Sequence, residues 1–292
     1  MNEEENNYLK LLKTILQCGE ERVDRTGVGT IGIFGTQLRF SLENNKIPML
    51  TTKKIFAKGV VEELLFFLRG DTDTKKLEAK GVNIWKGNTT RKFLDSRGLK
   101  NLPEGDMGKG YGFQWRHFGQ HKNDYNGQYC NKGVDQLADV LDKLKNHPDD
   151  RRILISAWNP SQLDEMALPP CHLLAQFYVI KGHLSCQFYQ RSVDSFLGLP
   201  FNILSYAIMT HILAKASKLK PKELVFVGGD THIYKSHIQQ VTNQICRIPY
   251  DFPTLQINKD IKSIKDIEEL EWKDFIIDGY VSHPAIKAEM AV

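Results

Sequence analysis

Cysteine is sparse in this sequence: Cys18, Cys130, Cys171, Cys186 and Cys246 are the five in 292 residues. An odd, scattered set without metal-ligand or disulfide-framework spacing excludes a stapled scaffold and predicts reduced thiols in a reducing compartment. A run of one charge is also missing. Lys plus Arg number 39 and Asp plus Glu 35, a net charge of +4, so no basic stripe stands out and nucleic acid is not expected as a partner. Met1-Asn2-Glu3-Glu4-Glu5 is acidic where a secretory or transit signal is basic and then apolar, and a cytoplasmic location is the expectation. Residues 195–214 are uncharged over nearly the ~20 residues that cross a bilayer, but Pro200, Asn202, Ser205, Thr210 and His211 interrupt them. They read as a buried core helix, with no membrane partner. No Pro/Gly/Ser-rich linker and no internal repeat divides the chain, which reads as one domain.

What is present is apolar material in two periodicities. Hydrophobic residues make up 41% of the chain, and a fold near this size buries about 75% of its unfolded surface. Tyr8, Leu11, Leu12, Ile15 and Leu16 repeat with helical spacing up to Gly19. Val60, Val61, Leu64, Leu65 and Leu68 predict a second helix, and Val134, Leu137, Ala138, Leu141 and Leu144 a third that stops before Pro148. Strands are predicted over 30–40, 153–158, 172–180 and 183–190, the last two joined by a tight hairpin at Lys181-Gly182. Helices are predicted near 203–218 and 233–246 with 224–227 between them, and 119–133 reads as a surface loop. The fold class that follows is α+β with a large sheet in one domain.

Several residues are suited to chemistry. Cys171 stands in Leu168-Pro169-Pro170-Cys171-His172, where two prolines fix the approach to a strand. A thiol, with an ordinary pKa of about 8.5, acts as a nucleophile only beside cationic or hydrogen-bonding groups, and from these five residues alone a buried inert cysteine is the plainer reading. Arg151-Arg152, Arg191-Ser192 and Arg25-Thr26-Gly27 offer guanidinium forks that match phosphate oxygens, or else pair with Asp149, Asp150 or Asp194. Gly27-Val28-Gly29 lacks the spacing of a dinucleotide fingerprint or a P-loop. In Gly228-Gly229-Asp230-Thr231-His232-Ile233-Tyr234, His232 and Tyr234 can hydrogen-bond a small polar ligand; if a helix starts there, Asp230 or Thr231 is its cap. Glu63, beside Leu64, Leu65, Phe66 and Phe67, is a carboxylate that apolar neighbours would tune for proton transfer, although exposure of Glu62 and Glu63 is the default.

In chain order, Asp24-Arg25-Thr26-Gly27, Glu63-Leu64-Leu65, Tyr111-Gly112-Phe113-Gln114-Trp115-Arg116, Asp150-Arg151-Arg152-Ile153, Leu168-Pro169-Pro170-Cys171-His172, Tyr189-Gln190-Arg191-Ser192, Leu197-Gly198-Leu199-Pro200-Phe201-Asn202-Ile203 and Gly229-Asp230-Thr231-His232-Ile233-Tyr234 resemble the thymidylate synthase family. The resemblance implies one catalytic domain over 1–292, with a large mixed β-sheet flanked by helices and packed back-to-back across a homodimer interface. It implies dUMP as substrate and 5,10-methylenetetrahydrofolate as the consumed donor of carbon and hydride, with dTMP and dihydrofolate as products and no metal, flavin or NAD. Cys171 is then the nucleophile that adds to uracil C6 and makes C5 reactive, while Arg191 holds phosphate and keeps the thiol ionised. Arg25, Arg191 and Ser192 bind phosphate from one subunit, and Arg151 and Arg152 reach in across the interface. Asn202 reads the pyrimidine edge, Gln190 and Asp194 are further substrate contacts, and His232 and Tyr234 hold the deoxyribose hydroxyl. Glu63, Tyr111 and His172 move protons and order water. The folate contacts implied are Ile84, Trp85, Leu168, Asp194, Gly198, Phe201 and Val292, with Lys53 drawing the glutamate tail.

The chain departs from the family pattern twice. It reads Ile84-Trp85-Lys86 where many relatives read Ile-Trp-Asp, and Gly108-Lys109-Gly110-Tyr111-Gly112 where they read Gly-Pro-Val-Tyr-Gly. A reversed charge and a freed backbone before Tyr111 predict weaker folate binding. The nearest alternative is a pyrimidine nucleotide hydroxymethylase, against which Trp85 argues by shielding the site from water. A non-catalytic RNA-binding homologue finds no support in the charge. A cysteine hydrolase suffers from the adjacency of Cys171 and His172, which a strand points to opposite faces.

Overall fold

The apolar spacing from Tyr8 to Ile15 buries one face of α1 (Glu3–Cys18), and Asn2 caps it by accepting from the Glu5 amide. The helix ends at Gly19, where a Cβ would come within 2.4 Å of the Ile15 carbonyl oxygen. The computed structural model describes residues 2–24, 27–120 and 133–289. Arg25, Val292 and most of the 119–133 loop lie outside the described residues.

Six strands form the main sheet: β1 (Glu20–Arg22), β2 (Thr30–Ser41), β3 (Leu154–Ser156), β4 (His172–Ile180), β5 (His183–Asp194) and β6 (Lys220–Tyr234), in the order β1-β2-β6-β5-β4-β3. β4 and β5 make the expected hairpin. Lys181 and Gly182 take φ of 48° and 74°, the paired positive values whose twist matches the flanking strands. β5 and β6 run parallel, so the chain must cross over between them. It does so as α7 (Gly198–Ala216), buried along almost its whole length, as a helix apolar on all sides must be. The other pairs are antiparallel, which makes the sheet mixed. Flanking it are α2 (Ala57–Leu68), α3 (Lys75–Glu78), α4 (Arg91–Ser96), α5 (Tyr111–His117), α6 (Gln136–Asn146), α8 (Ile238–Ile245) and α9 (Ile264–Glu268). A small antiparallel pair, β7 (Thr254–Ile257) and β8 (Phe275–Asp278), forms a second sheet. Among the described residues, no helix is long and apolar enough to cross a membrane.

Two sequence expectations are corrected. The helix expected over 233–246 begins only at Ile238, because β6 continues to Tyr234 with Ile233 paired to Ile31 in the β2 ladder. Sheet pairing overrides the helical spacing of the apolar residues, and Asp230 and Thr231 are strand residues rather than caps. Val134, expected inside the third helix, instead forms a bridge with Phe118, and α6 starts after Asp135, whose carboxylate accepts from the Ala138 amide.

The side of the sheet away from α7 keeps apolar residues half-exposed. Leu174, Tyr189 and Val227 are register partners in one row across β4, β5 and β6, all partly exposed, and Tyr178 is 61% exposed.

Candidate active site

Cys171 sits one residue before β4, half-buried, and its backbone is held on both sides. Its amide donates to the Tyr111 hydroxyl at 2.8 Å, and its carbonyl accepts from the Arg191 amide at 2.9 Å. Proline has no N–H of its own, and the Pro169 and Pro170 carbonyls are both taken by the Arg191 guanidinium, at 3.0 and 2.8 Å. That leaves Arg191 Nη2 4.0 Å from Cys171 Sγ, with the guanidinium 5.5 Å from the Trp158 ring centre. A fixed cation at this distance stabilises negative charge on sulfur.

One wall is aromatic and neutral. Tyr111 stacks on His172 at 4.1 Å between ring centres, and His172 Nδ1 is 3.0 Å from the Tyr206 hydroxyl. Burial pushes His172 down to about 3 and raises Tyr111 and Tyr206 well above the ordinary phenol range. At neutral pH this wall therefore holds an uncharged imidazole between two phenols. Glu63 closes it from α2, where Gly59 to Leu68 are all buried. The default exposure of Glu62 and Glu63 is thereby overturned, since a helix enclosed on every side leaves no solvent face. Glu62 pairs with Lys80 at 2.5 Å. Glu63 accepts from Trp85 Nε1 at 2.7 Å, and burial raises its carboxyl to about 7 against the opposing effect of that bond.

The parallel register of β5 and β6 sets Ser192 opposite Asp230 and Asp194 opposite His232. Gln190 donates to the Ser192 carbonyl at 3.0 Å, and its Oε1 is buried with no hydrogen-bond partner among the described residues. Asp194 Oδ1 accepts from the Phe196 and Leu197 amides, both at 3.0 Å, and ties down the approach to α7. Gly198 follows, its side open enough that a Cβ would meet Asp194 at 3.6 Å and Asn202 Oδ1 at 3.9 Å. His232 Nδ1 is 2.9 Å from Asp230 Oδ1, and Arg22 Nη1 donates to Asp230 Oδ2 at 2.9 Å. This chain fixes the His232 ring with Nε2 away from Asp230, and the Tyr234 ring lies 5.2 Å beyond. Sequence reasoning missed Arg22 and Tyr206, and treated Asp230 only as a helix cap. Strand alternation through Asp230, His232 and Tyr234 is the signal that would have found the relay.

Other expected site residues lie apart or turn inward. Arg151 and Arg152 are exposed and, with His147, Asp149 and Asp150, line a shallow pocket of about 460 Å³ that shares no residue with the Cys171 cluster. Lys53 is buried, donating to the Phe196 carbonyl with its amine 3.7 Å from that ring's centre. Burial lowers it to about 7, against the pull of Asp194. Ile84, Trp85, Leu168 and Phe201 are half-buried. Lys86 pairs with Glu78 at 3.5 Å and Lys109 with Glu165 at 2.7 Å. The C-terminal segment is tied back by Arg247 Nη1 to the Pro284 carbonyl and His237 Nε2 to that of Glu289, both at 2.7 Å. A cavity of about 550 Å³ between the end of α7 and β7 is separate from all of these.

The family model described as thymidylate synthase matches residues 6–292. A thymidylate synthase of Ascaris suum is 51% identical over 292 residues, covering 100% of this chain and 98% of that protein. The human thymidylate synthase is 51% identical over 288 residues, covering 99% and 91%. A bifunctional dihydrofolate reductase-thymidylate synthase of Zea mays is 52% identical over 289 residues, or 99% of this chain and 55% of that protein. The chain thus spans about half the length of such bifunctional relatives. With a matched stretch running from the first helix through the Cys171 cluster and beyond it, the chain belongs to the thymidylate synthase family.

Proposed function

We propose that this chain is a cytoplasmic thymidylate synthase, a methyltransferase of nucleotide biosynthesis, acting as one catalytic domain over residues 1–292. It converts dUMP to dTMP with 5,10-methylenetetrahydrofolate and yields dihydrofolate. The observation that carries the reading is Cys171, held between the Tyr111 hydroxyl and the Arg191 guanidinium, within a wall that includes a carboxyl titrating near 7. Uracil C5 is a poor nucleophile, and thiolate addition at C6 turns the ring into an enolate that reacts there. Arg191, Ser192 and Arg25 hold the phosphate, while His232 Nε2 and Tyr234 hold the sugar hydroxyl. Glu63 gives and takes protons through ordered water, since a carboxyl near 7 does both at neutral pH. Tyr111 and His172 stay neutral and orient that water.

The folate supplies the one-carbon unit and the hydride when bound. Half-buried Ile84, Trp85, Leu168 and Phe201, with Gly198 offering no side chain of its own, fit the faces of a flat heterocycle whose edge is polar. Val292 is proposed as a further folate contact, and Lys53 meets the glutamate tail only if its amine leaves the Phe196 carbonyl and turns outward. Trp85 and its neighbours exclude water there, which favours the synthase over the hydroxymethylase. The deciding experiment mixes the protein with dUMP and methylenetetrahydrofolate, follows dihydrofolate absorbance and weighs the nucleotide. Thymidylate with dihydrofolate supports the proposal; a hydroxymethyl nucleotide without dihydrofolate overturns it.

Asn202 carries the choice of base. Its side-chain amide makes no hydrogen bond within the described residues, so it can accept from uracil N3–H and donate to O4. An aspartate cannot donate to O4, and a buried unpaired group penalises the mismatch. Asn202→Asp is expected to lower kcat/KM for dUMP by about 100-fold and to raise the preference for dCMP. Unchanged discrimination in a paired dUMP and dCMP assay would remove Asn202 from this role.

The partner proposed is a second copy of the chain. The half-exposed row Leu174, Tyr189 and Val227 offers the face, and exposed Arg151 and Arg152, apart from their own Cys171, fit delivery to the site across the two-fold axis. A Cys171→Ala chain and an Arg151→Ala/Arg152→Ala chain, each inactive, should regain about a quarter of wild-type activity when randomly mixed, because half the dimers carry one intact site. Mixtures that stay inactive while mass measurements show mixed dimers would exclude shared sites.

A further inference from the structure

Two chain segments reach the thiol from outside the sheet, 106–111 ending on Tyr111 and 165–171 ending on Cys171. They are clipped together before they arrive. The Ala167 amide donates to the Met107 carbonyl at 3.0 Å, and the Lys109 amide to the Glu165 carbonyl at 3.0 Å. Contact is so close that a Cβ on Gly108, which has φ +69°, would lie 2.1 Å from the Glu165 carbonyl oxygen. The clip is finished by a side-chain pair, Lys109 Nζ to Glu165 Oε2 at 2.7 Å, with the lysine side chain only 13% exposed. Its amine also lies 5.6 Å from the Phe113 ring centre. The backbone before Tyr111, expected to be freed by the lost proline, is therefore fastened.

We propose that the Lys109–Glu165 ion pair is a positioning device that keeps the Tyr111 hydroxyl on the Cys171 amide and so aims the nucleophile. Lys109 stands between Gly108 and Gly110, the two residues least able to hold their own backbone angles. On the other strand of the clip, Pro169 and Pro170 have no amide to extend the ladder and are held from the far side by Arg191. Slack at Lys109 passes directly to Tyr111, two residues on. Because the pair reaches the surface through Glu165, which is 51% exposed, its effect on global stability is small, whereas small misplacements of a reacting group weigh heavily on rate.

This inference rests on the synthase reading, and its test separates the two. Lys109→Met is expected to lower kcat for dUMP about 10-fold with KM for dUMP within about two-fold, and to leave the melting temperature within about 2 °C. Lys109→Arg should restore kcat to within about two-fold, because it keeps the charge. Independently of any folate or nucleotide, iodoacetamide alkylation of Cys171, followed by peptide mass, should slow about three-fold in Lys109→Met as the thiol loses its place beside Arg191. If wild type makes no thymidylate, the functional reading fails and the alkylation rates still judge the clip. Equal kcat and equal alkylation in Lys109→Met and wild type, or no rescue by arginine, would overturn the positioning role.

Discussion

Cys171→Ala is expected to abolish thymidylate formation, by at least about 10⁴-fold, while leaving the fold and nucleotide binding in place. The size follows from the chemistry. Without addition at C6 there is no enolate, and nearby groups that only bind or orient cannot supply it. The fold is spared because the backbone contacts that position residue 171 do not use the thiol. The Tyr111 hydroxyl takes the amide and Arg191 takes both the carbonyl of Cys171 and those of the preceding prolines. Alanine leaves all of these intact. Calorimetric titration with dUMP should then give an affinity within a few-fold of wild type, since phosphate and base are held by other residues. A variant retaining more than about one hundredth of the wild-type rate would mean that the thiol is not the nucleophile, and the arrangement around it would need another purpose.

Much of this was legible from the residues, and the failures have physical causes. The Lys181-Gly182 hairpin could be read because two positive φ angles are a local demand that few residues meet. The enclosure of α7 followed from an uncharged stretch too interrupted to span a membrane. By contrast, Ile233 lies where helical and strand spacings coincide, and only its pairing with Ile31 on β2 decides the matter. That misreading hid the Arg22–Asp230–His232 relay, which exists only when β6 continues past the glycine pair. Glu62 and Glu63 look alike in sequence, adjacent on one helix. Their difference is tertiary: Lys80 reaches Glu62, while among the described residues Glu63 finds no cation and accepts instead from the Trp85 indole. Nor could the sequence reveal that Lys109 finds Glu165, 56 residues away, so a lost proline read as slack when the fold had replaced it with a clip.

Glu63→Gln is the second large effect, and it should separate stability from activity. Burial holds the Glu63 carboxyl near 7 rather than the ordinary 4.5. Below about pH 4.5 the group is protonated in both folded and unfolded chains and has no effect on their balance. As pH rises from there towards 7, the unfolded chain releases the proton while the folded one keeps it, so stability is progressively lost; above 7 the penalty is complete, at about 3 kcal/mol. Glutamine is uncharged throughout and its Oε1 can still accept from Trp85 Nε1. The variant should therefore melt at about the wild-type temperature near pH 5 and about 5 °C higher at pH 8. Activity should move the other way, falling by about 10²- to 10⁴-fold, because a group that gives and takes protons has been replaced by one that does neither. Melting curves at pH 5 and pH 8, with turnover at pH 7, read both effects in one set of samples. A pH-independent gap in melting temperature would show that Glu63 is not held protonated by its surroundings. A variant turning over at the wild-type rate would place the proton transfer elsewhere in the network. Stabilisation at high pH together with lost turnover is the result expected of a carboxyl that the fold tolerates at a cost because the reaction uses it.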